Sequence, residues 1–299
     1  MDPARLTRHL YIGFAAVAFS TAGCGLDRDS IVLAATTSTY DSGLIERLVS
    51  EFRLDHPEVR VRTVIAGSGQ ALELGRRGDV DLLLVHAPEA EARFVEEGYS
   101  AERIPVMYND FLIVGPPEDP AGIAGAGSPA RALARIAATE SSFISRGDSS
   151  GTHYRELALW AGAGVAPKGA WYLESGQGQA TSLQVASERA AYTLTDRATF
   201  TVLQQLLELE PLVEGHPTLL NVYSLLQPTA AARPAQAAVF VRWLTSEVGE
   251  RAIADFHYRG SDVPLFLPLI SEEAAPPSDP AEVEADSVPP PDSVRGPTT

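Results

Sequence analysis

Ser145-Arg146-Gly147-Asp148-Ser149-Ser150-Gly151-Thr152-His153 is the stretch on which the fold turns. The apolar pair Phe143-Ile144 leads into it, and Tyr154, Leu157, Ala158, Trp160 and Ala161 leave it at helical spacing. This pattern predicts a strand that stops at Ser145 and a helix that starts near Ser150 or Gly151. The first amides of such a helix lack intrahelical partners and carry the positive end of its dipole, so they can hold an anion. Gly151 lets the backbone come close to a ligand, while Ser149, Ser150 and Thr152 add hydroxyl donors. Arg146 adds a planar charged fork that suits an oxyanion. The same residue types also make ordinary helix caps. What favours the anion clamp is that the chain repeats the design.

Working outward, residues 31–35 form an apolar run that ends in Thr36-Thr37-Ser38-Thr39 and Asp41-Ser42-Gly43. Leu44, Ile45, Leu48, Val49 and Phe52 then recur at helical spacing. This predicts strand, hydroxyl-rich loop and helix N-terminus. Val59, Val61 and Thr63 alternate with arginines up to Ile65, and Gly67-Ser68-Gly69 opens another helix at Gln70. A dinucleotide fingerprint is rejected there, because its third glycine and distal acid are missing. Further runs at 80–85, 111–114, 171–173, 191–195 and 219–225 read as strands with helices between them. The alternation implies an α/β fold with largely parallel sheets. Ligands in such sheets bind beyond the carboxyl ends of the strands. One lobe then offers Thr37, Ser38 and Ser68, another Arg146, Ser150 and Thr152, and the two close on a small ligand.

Composition narrows the partners. The 299 residues are 45% hydrophobic and 21% charged, a globular balance with ample core. The net charge of −16 argues against nucleic acid or an anionic membrane surface as partner. It also repels anions at long range, so a bound anion must be held by local donors.

The ends read differently. Arg5, Arg8 and His9 precede an apolar run from Leu10 to Phe19 and the small residues Ser20-Thr21-Ala22-Gly23 before Cys24. That order makes 1–23 a secretory signal, too short in its apolar part to span a bilayer. Cys24 is the single cysteine, so an intramolecular disulfide is impossible. Its setting resembles a bacterial lipobox, with Thr21 in place of the usual leucine; the resemblance implies lipidation of Cys24 and a short linker over 24–30. Residues 271–299 are rich in Pro, Glu, Asp and Ser and cannot bury enough surface to order themselves, so they read as a disordered acidic tail.

Three separated strings carry a family likeness: Thr36-Thr37-Ser38-Thr39 with Asp41-Ser42-Gly43; Ser145-Arg146-Gly147-Asp148 with Ser150-Gly151-Thr152-His153; and Ala191-Tyr192-Thr193-Leu194-Thr195-Asp196-Arg197. Val85-His86-Ala87-Pro88-Glu89 and Val106-Met107-Tyr108-Asn109-Asp110 add to it. Together they resemble the tungstate-binding lipoproteins of tungstate ABC importers, over roughly residues 31–258. The resemblance implies a two-lobed class II periplasmic binding-protein fold, with one sheet and flanking helices per lobe. It places 31–110 with 215–260 in lobe I and 111–214 in lobe II. It implies that Thr37, Ser38, Ser68, Arg146, Ser150, Gly151 and Thr152 face the oxyanion. It further implies a periplasmic or cell-surface protein, held by its lipid, that works as a monomer with an ABC permease and without a cofactor. The chain departs at Gly178-Gln179-Ala180, where the family pattern is Gly-Met-Gly, which bears on any backbone contact from that loop.

Other chemistries could use the same residues. Phosphate carries a proton at neutral pH and calls for an acceptor, for which Asp148 and Asp81 are the candidates; capping and loop bonding are their ordinary roles. Gly147-Asp148-Ser149-Ser150-Gly151 matches Gly-x-Ser-x-Gly literally, with His153 close by. The oxyanion loop and the ordered acid and histidine of that elbow are not recognisable, so a serine hydrolase is the weaker reading. His86 and His153 lack metal-ligand spacing and read as loop or cap histidines. Molybdate, sulfate or phosphate as ligand, or a sensor that feeds no transporter, remain the alternatives.

Overall fold

The structure, a computed structural model, describes residues 30–259 and 264–269. The signal, Cys24 and the acidic tail lie outside the described residues. In chain order the main elements are β1 (Ser30–Ala35), α1 (Thr37–Asp41), α2 (Leu44–Asp55), β2 (Arg60–Ile65), α3 (Ser68–Arg76), β3 (Leu82–Val85), α4 (Pro88–Glu96) and β4 (Ile104–Gly115). There follow α5 (Pro129–Ala138), β5 (Phe143–Ser145), α6 (Gly151–Gly162), β6 (Tyr172–Glu174), α7 (Gln179–Glu188), β7 (Tyr192–Asp196) and α8 (Arg197–Leu203). The last are β8 (Glu210–Val213), β9 (Leu220–Leu226), α9 (Pro234–Leu244), α10 (Glu247–Ala254) and β10 (Leu267–Pro268).

The strands join in the order β2-β1-β3-β9-β4-β7-β5-β6, with β8 and β10 added on β4. The outer pairs are parallel: β1 with β2 and β3, and β5 with β6 and β7. The central pairs, β3 with β9 and β4 with β9, β7 and β8, are antiparallel. The largely parallel sheets predicted from alternation are therefore corrected at the centre. The cause is β4, a twelve-residue strand that belongs to both lobes. It pairs with β9 as far as Asp110↔Leu220 and with β7 from Phe111↔Asp196. A strand that crosses from one sheet to the next cannot use a helical crossover at that point, so its neighbours run antiparallel.

Each lobe has apolar residues on both faces of its sheet, as a layered α/β sheet requires. In the first lobe, α2 turns Leu44, Ile45, Leu48 and Phe52 inward, all buried. Phe52 meets Phe240 and Trp243 of α9 edge-on, at 4.9 and 5.4 Å. Burying each such ring contributes about 1.5–3 kcal/mol. In the second lobe, Trp160 of α6 is almost wholly buried against Phe143 at 5.2 Å.

Three further differences from the sequence reading have local causes. The turn after β1 is a single helical turn, α1, closed by the Tyr40 amide on the Thr36 carbonyl at 3.2 Å. The strand predicted at 111–114 starts instead at Ile104, because Asn109 and Asp110 are polar yet sit in the ladder where the lobes meet. The short β8 and β10 pass unpredicted, being too brief and too proline-rich to show alternation. Beside the crossing point, Arg197 grips Asp110 with two bonds of 2.6 Å and Glu214 with one of 2.7 Å.

Candidate functional site

The clamp loop is built as its residues dictate. β5 ends at Ser145 and α6 begins at Gly151, with Ser150 as N-cap accepting the His153 amide at 3.3 Å. Asp148 Oδ1 accepts the Ser150 amide at 3.1 Å. Tyr154 N–H is bonded back to the Ser150 carbonyl at 2.9 Å, so the amides of Gly151 and Thr152 precede the helical ladder and have no acceptor within it. Ser149 is held at φ +57°, the left-handed region that few side chains enter.

Arg146 is one of the largest buried side chains in the protein, 2% exposed. Its Nε and Nη2 donate to Asp148 Oδ2, and Nη1 donates to Gln179 Oε1 at 3.1 Å. A guanidinium has five N–H groups, so two remain for another acceptor. The paired Asp148 lets the charge stay buried, which an isolated cation would not. Gln179 is itself fully buried and passes its amide hydrogen to the Leu194 carbonyl at 3.1 Å. It thereby fixes the angle of the fork.

The two lobes meet along this loop. Gly69 N–H of the first lobe donates to the Ser149 carbonyl of the second at 3.2 Å. A Cβ on Gly67 would stand 3.4 Å from Ser150, and one on Gly69 would stand 2.8 Å from the Ser149 carbonyl oxygen. Gly151 faces His86, whose ring would lie 2.7 Å from any added Cβ. Behind His86 runs a buried polar chain. His86 Nδ1 bonds Asn221 Oδ1 at 2.8 Å, and Asn221 Nδ2 donates to Asn109 Oδ1 at 2.8 Å and Tyr223 OH at 3.1 Å. Tyr223 OH lies 3.0 Å from Ser38 Oγ, which lies 3.1 Å from Thr36 Oγ1.

The electrostatics follow from burial. His86, stacked on Tyr223 at 4.6 Å, is pushed down to about 4 by loss of solvent, so it is neutral at physiological pH. Burial and the neighbouring Asp196 raise Tyr223 far above its usual range, partly offset by its Ser38 and Asn221 bonds and by Arg146. Burial raises Asp196, which caps α8 through the Thr199 amide at 2.9 Å. Burial and Asp196 also raise Asp41, while the Ala180 amide of the other lobe and Arg146 lower it. The Arg146 charge thus reaches groups from both lobes.

Beneath the loop, Glu156 accepts from Tyr172 OH at 2.7 Å and Trp160 Nε1 at 3.2 Å, and burial raises it to about 7. Two buried donors at the lobe contact have no partner among the described residues: Thr152 Oγ1 and Asn109 Nδ2. His153 Nδ1 accepts the Ser149 amide at 3.1 Å and is committed to the loop, not to a serine hydroxyl. Asp81 bonds Val32 N–H at 2.9 Å and Arg233 N–H at 2.8 Å. Among the described residues no cluster with metal-holding composition occurs.

Residues 21–248 match the PBP superfamily domain. The chain is 39% identical over 247 residues to the tungstate-binding protein TupA of Peptoclostridium acidaminophilum, covering 81% of this chain and 86% of that protein. The chain belongs to the PBP superfamily, among the TupA proteins. Of solved structures, that of the tungstate ABC transporter from Geobacter sulfurreducens is 43% identical and superposes with a TM-score of 0.70, covering 76% of this chain and 99% of that one. The tungstate-binding protein TupA from Desulfovibrio alaskensis is 40% identical, with a TM-score of 0.67 and coverage of 80% and 98%. The two-lobed α/β fold is that of these periplasmic binding proteins.

In this PBP, of the seven residues singled out from sequence, Ser68, Ser150 and Gly151 meet around His86 and Gly67. Ser38 joins them through Tyr223 and Asn221, and Arg146 and Thr152 lie on the same loop and helix start. Ser38 reaches Tyr223, which feels Arg146; Ser68 Oγ accepts the His86 amide at 3.3 Å; Ser150 abuts Gly67, and Gly151 abuts His86. Thr37 opens α1 and is half-buried, while Ser38 beside it is buried. The smallness of Gly151 serves a lobe–lobe contact with His86, which no local pattern foretold. Asp148 and Asp81 take the structural roles that capping and loop bonding suggested. Asn109, Asn221, Tyr223 and Gln179 went unassigned as site residues, because lone polar side chains in apolar strands and helices carry no motif. Gln179 alone left a signal, as the break in the Gly-Met-Gly pattern.

Proposed function

We propose that this protein captures tungstate outside the cytoplasmic membrane and delivers it to an ABC permease. The observation that supports it best is the surplus of donors at the seam. Thr152 Oγ1, two N–H groups of Arg146 and the amides of Gly151 and Thr152 are free to take the place of a hydration shell. Thr37, Ser38, Ser68 and Ser150 extend this set from both sides. The lobes divide at 110/111 and 214/215, where Arg197 holds Asp110 and Glu214 together, and the anion enters when they part. Closure brings the donors to it and presents one composite face to the permease. The relatives named for tungstate favour that anion among oxyanions.

Both carboxylates that could accept a phosphate proton, Asp148 and Asp81, are engaged in loop and backbone bonds. This favours an anion that carries no proton, so molybdate and sulfate rank ahead of phosphate as alternatives. The protein acts as a monomeric binder without catalysis or cofactor, anchored through lipid on Cys24. A thermal-shift panel of tungstate, molybdate, sulfate and phosphate tests the ligand, because only a tight ligand raises the melting temperature strongly. Tungstate is expected to win; a larger shift with phosphate would overturn the assignment. Mass spectrometry of the N-terminal peptide from a membrane fraction tests the anchor.

A further inference from the structure

The buried chain behind His86 has a direction. Asn221 Oδ1 is an acceptor only, so the proton between it and His86 at 2.8 Å belongs to His86 Nδ1. With its oxygen on His86, Asn221 turns both amide hydrogens outward, one to Asn109 Oδ1 and one to Tyr223 OH. Tyr223, accepting from Asn221, can send its own hydrogen only toward Ser38 Oγ at 3.0 Å. Ser38 and Thr36 share one bond at 3.1 Å, which uses one of their two hydroxyl hydrogens. The other hydrogen has no acceptor within this chain of bonds. At the opposite end, Asn109 has its oxygen committed to Asn221, and its Nδ2, 93% buried by its residue's 7% exposure, has no partner among the described residues. Both ends of the chain therefore offer hydrogens.

We propose that Asn109 is a ligand donor, and that Asn221 and Tyr223 are positioning residues that orient the Thr36–Ser38 pair, so that the floor of the cleft selects oxyanions carrying no proton. The proposal rests on the oxyanion-capture reading above and assigns its selectivity to a source outside the clamp loop. A hydrogen phosphate ion must donate one hydrogen as well as accept several. Against a surface of hydrogens it leaves that group unpaired, and an unpaired buried polar group is what discriminates most strongly between otherwise similar ligands. Tungstate, bearing only acceptors, has no such conflict.

Two measurements test it. The first needs no ligand: nitrogen-15 NMR of the histidine rings in the free protein should place the His86 proton on Nδ1. A proton on Nε2 reverses the chain and overturns the proposal. The second is calorimetric competition between tungstate and phosphate on the wild type, Asn109→Asp and Tyr223→Phe. Asn109→Asp keeps the oxygen that Asn221 needs and turns the free donor into an acceptor. Tungstate affinity should fall about tenfold or more, and the tungstate-to-phosphate ratio should fall with it. Tyr223→Phe frees a lone pair on Ser38 and should lower the same ratio with a smaller loss of tungstate affinity. Equal weakening of both anions is the signature of added charge alone and would overturn the proposal. Should Asn109→Asp fail to fold, Tyr223→Phe carries the same ratio by itself. A wild type that binds no tungstate defeats the functional reading, whereas the His86 tautomer is still read independently.

Discussion

Gly151 and His86 belong to different lobes and touch so closely that no side chain fits between them: a Cβ on Gly151 would stand 2.7 Å from the His86 ring and closer still to its carbonyl oxygen. The conformation of Gly151 is ordinary, since its φ is not among the positive ones. The constraint is one of space across the seam, and it exists only while the lobes are together.

That separates closure from folding. Gly151→Ala should fold, because an added methyl inside the first turn of α6 favours the helix by up to about 1 kcal/mol. It should bind tungstate far more weakly, because the lobes can no longer meet. Small-angle scattering would show whether ligand still compacts the variant; normal compaction with normal affinity would refute the contact as part of the closed state.

Thr152→Val offers an independent check on the orphan hydroxyl. Thr152 Oγ1 is buried without a partner among the described residues, so replacing it with a methyl should leave thermal stability unchanged or slightly raised. Tungstate affinity should drop by about 1–3 kcal/mol, as expected when a ligand oxygen loses a buried donor. Equal affinity in both forms would mean that the hydroxyl does not face the anion.

For Arg146, the expected effect is larger. Arg146→Ala removes two free N–H groups and leaves Asp148 without its cation, so calorimetry should register a loss of about 2–5 kcal/mol in anion binding. Gln179→Leu, which only releases the fork from its 3.1 Å bond, should weaken binding by about 1 kcal/mol. Indifference to both substitutions would count against the clamp.

Glu156 sets a pH dependence whose sign is fixed. Burial raises its carboxyl from an ordinary 4.5 to about 7, so between those values the folded protein holds a proton that the unfolded chain has released. The resulting stability is full below pH 4.5 and is lost as pH rises toward about 7. His86 works the other way: lowered to about 4, it contributes stability above pH 6.5 that is lost as the solution is acidified through that range. The two slopes oppose each other. Glu156→Gln should therefore unmask the histidine, giving urea-unfolding stability that rises with pH from about 4 to 6.5 more steeply than in the wild type. A variant whose slope matches that of the wild type would show that Glu156 does not titrate in this window.

The donor-rich loop, the helix that leaves it and the repeated strand–turn–helix units were legible in the sequence because they are local. A serine at an N-cap, an apolar residue every third or fourth position and a strand stopping before a glycine all act within a few residues. Residues 36–38, 67–69 and 145–152 could thus be read one at a time as turns rich in hydrogen-bond donors. The acidic balance likewise required that any anion be held by local donors; the Arg146 side chain is paired with Asp148.

What no local pattern contained was the seam. β4 runs through both lobes because Asn109 and Asp110 find partners in β9 and around Arg197, contacts more than 80 residues away along the chain. The same long-range placement buries His86, Asn221 and Tyr223 together and leaves Asn109 Nδ2 without a partner among the described residues. The sequence by itself determined which residue types could hold an oxyanion and that they sit between a strand end and a helix start. Only the tertiary structure decided which of them face one another and which hydrogens stay free, because hydrogen-bond direction is fixed by the partners that surround a group in space.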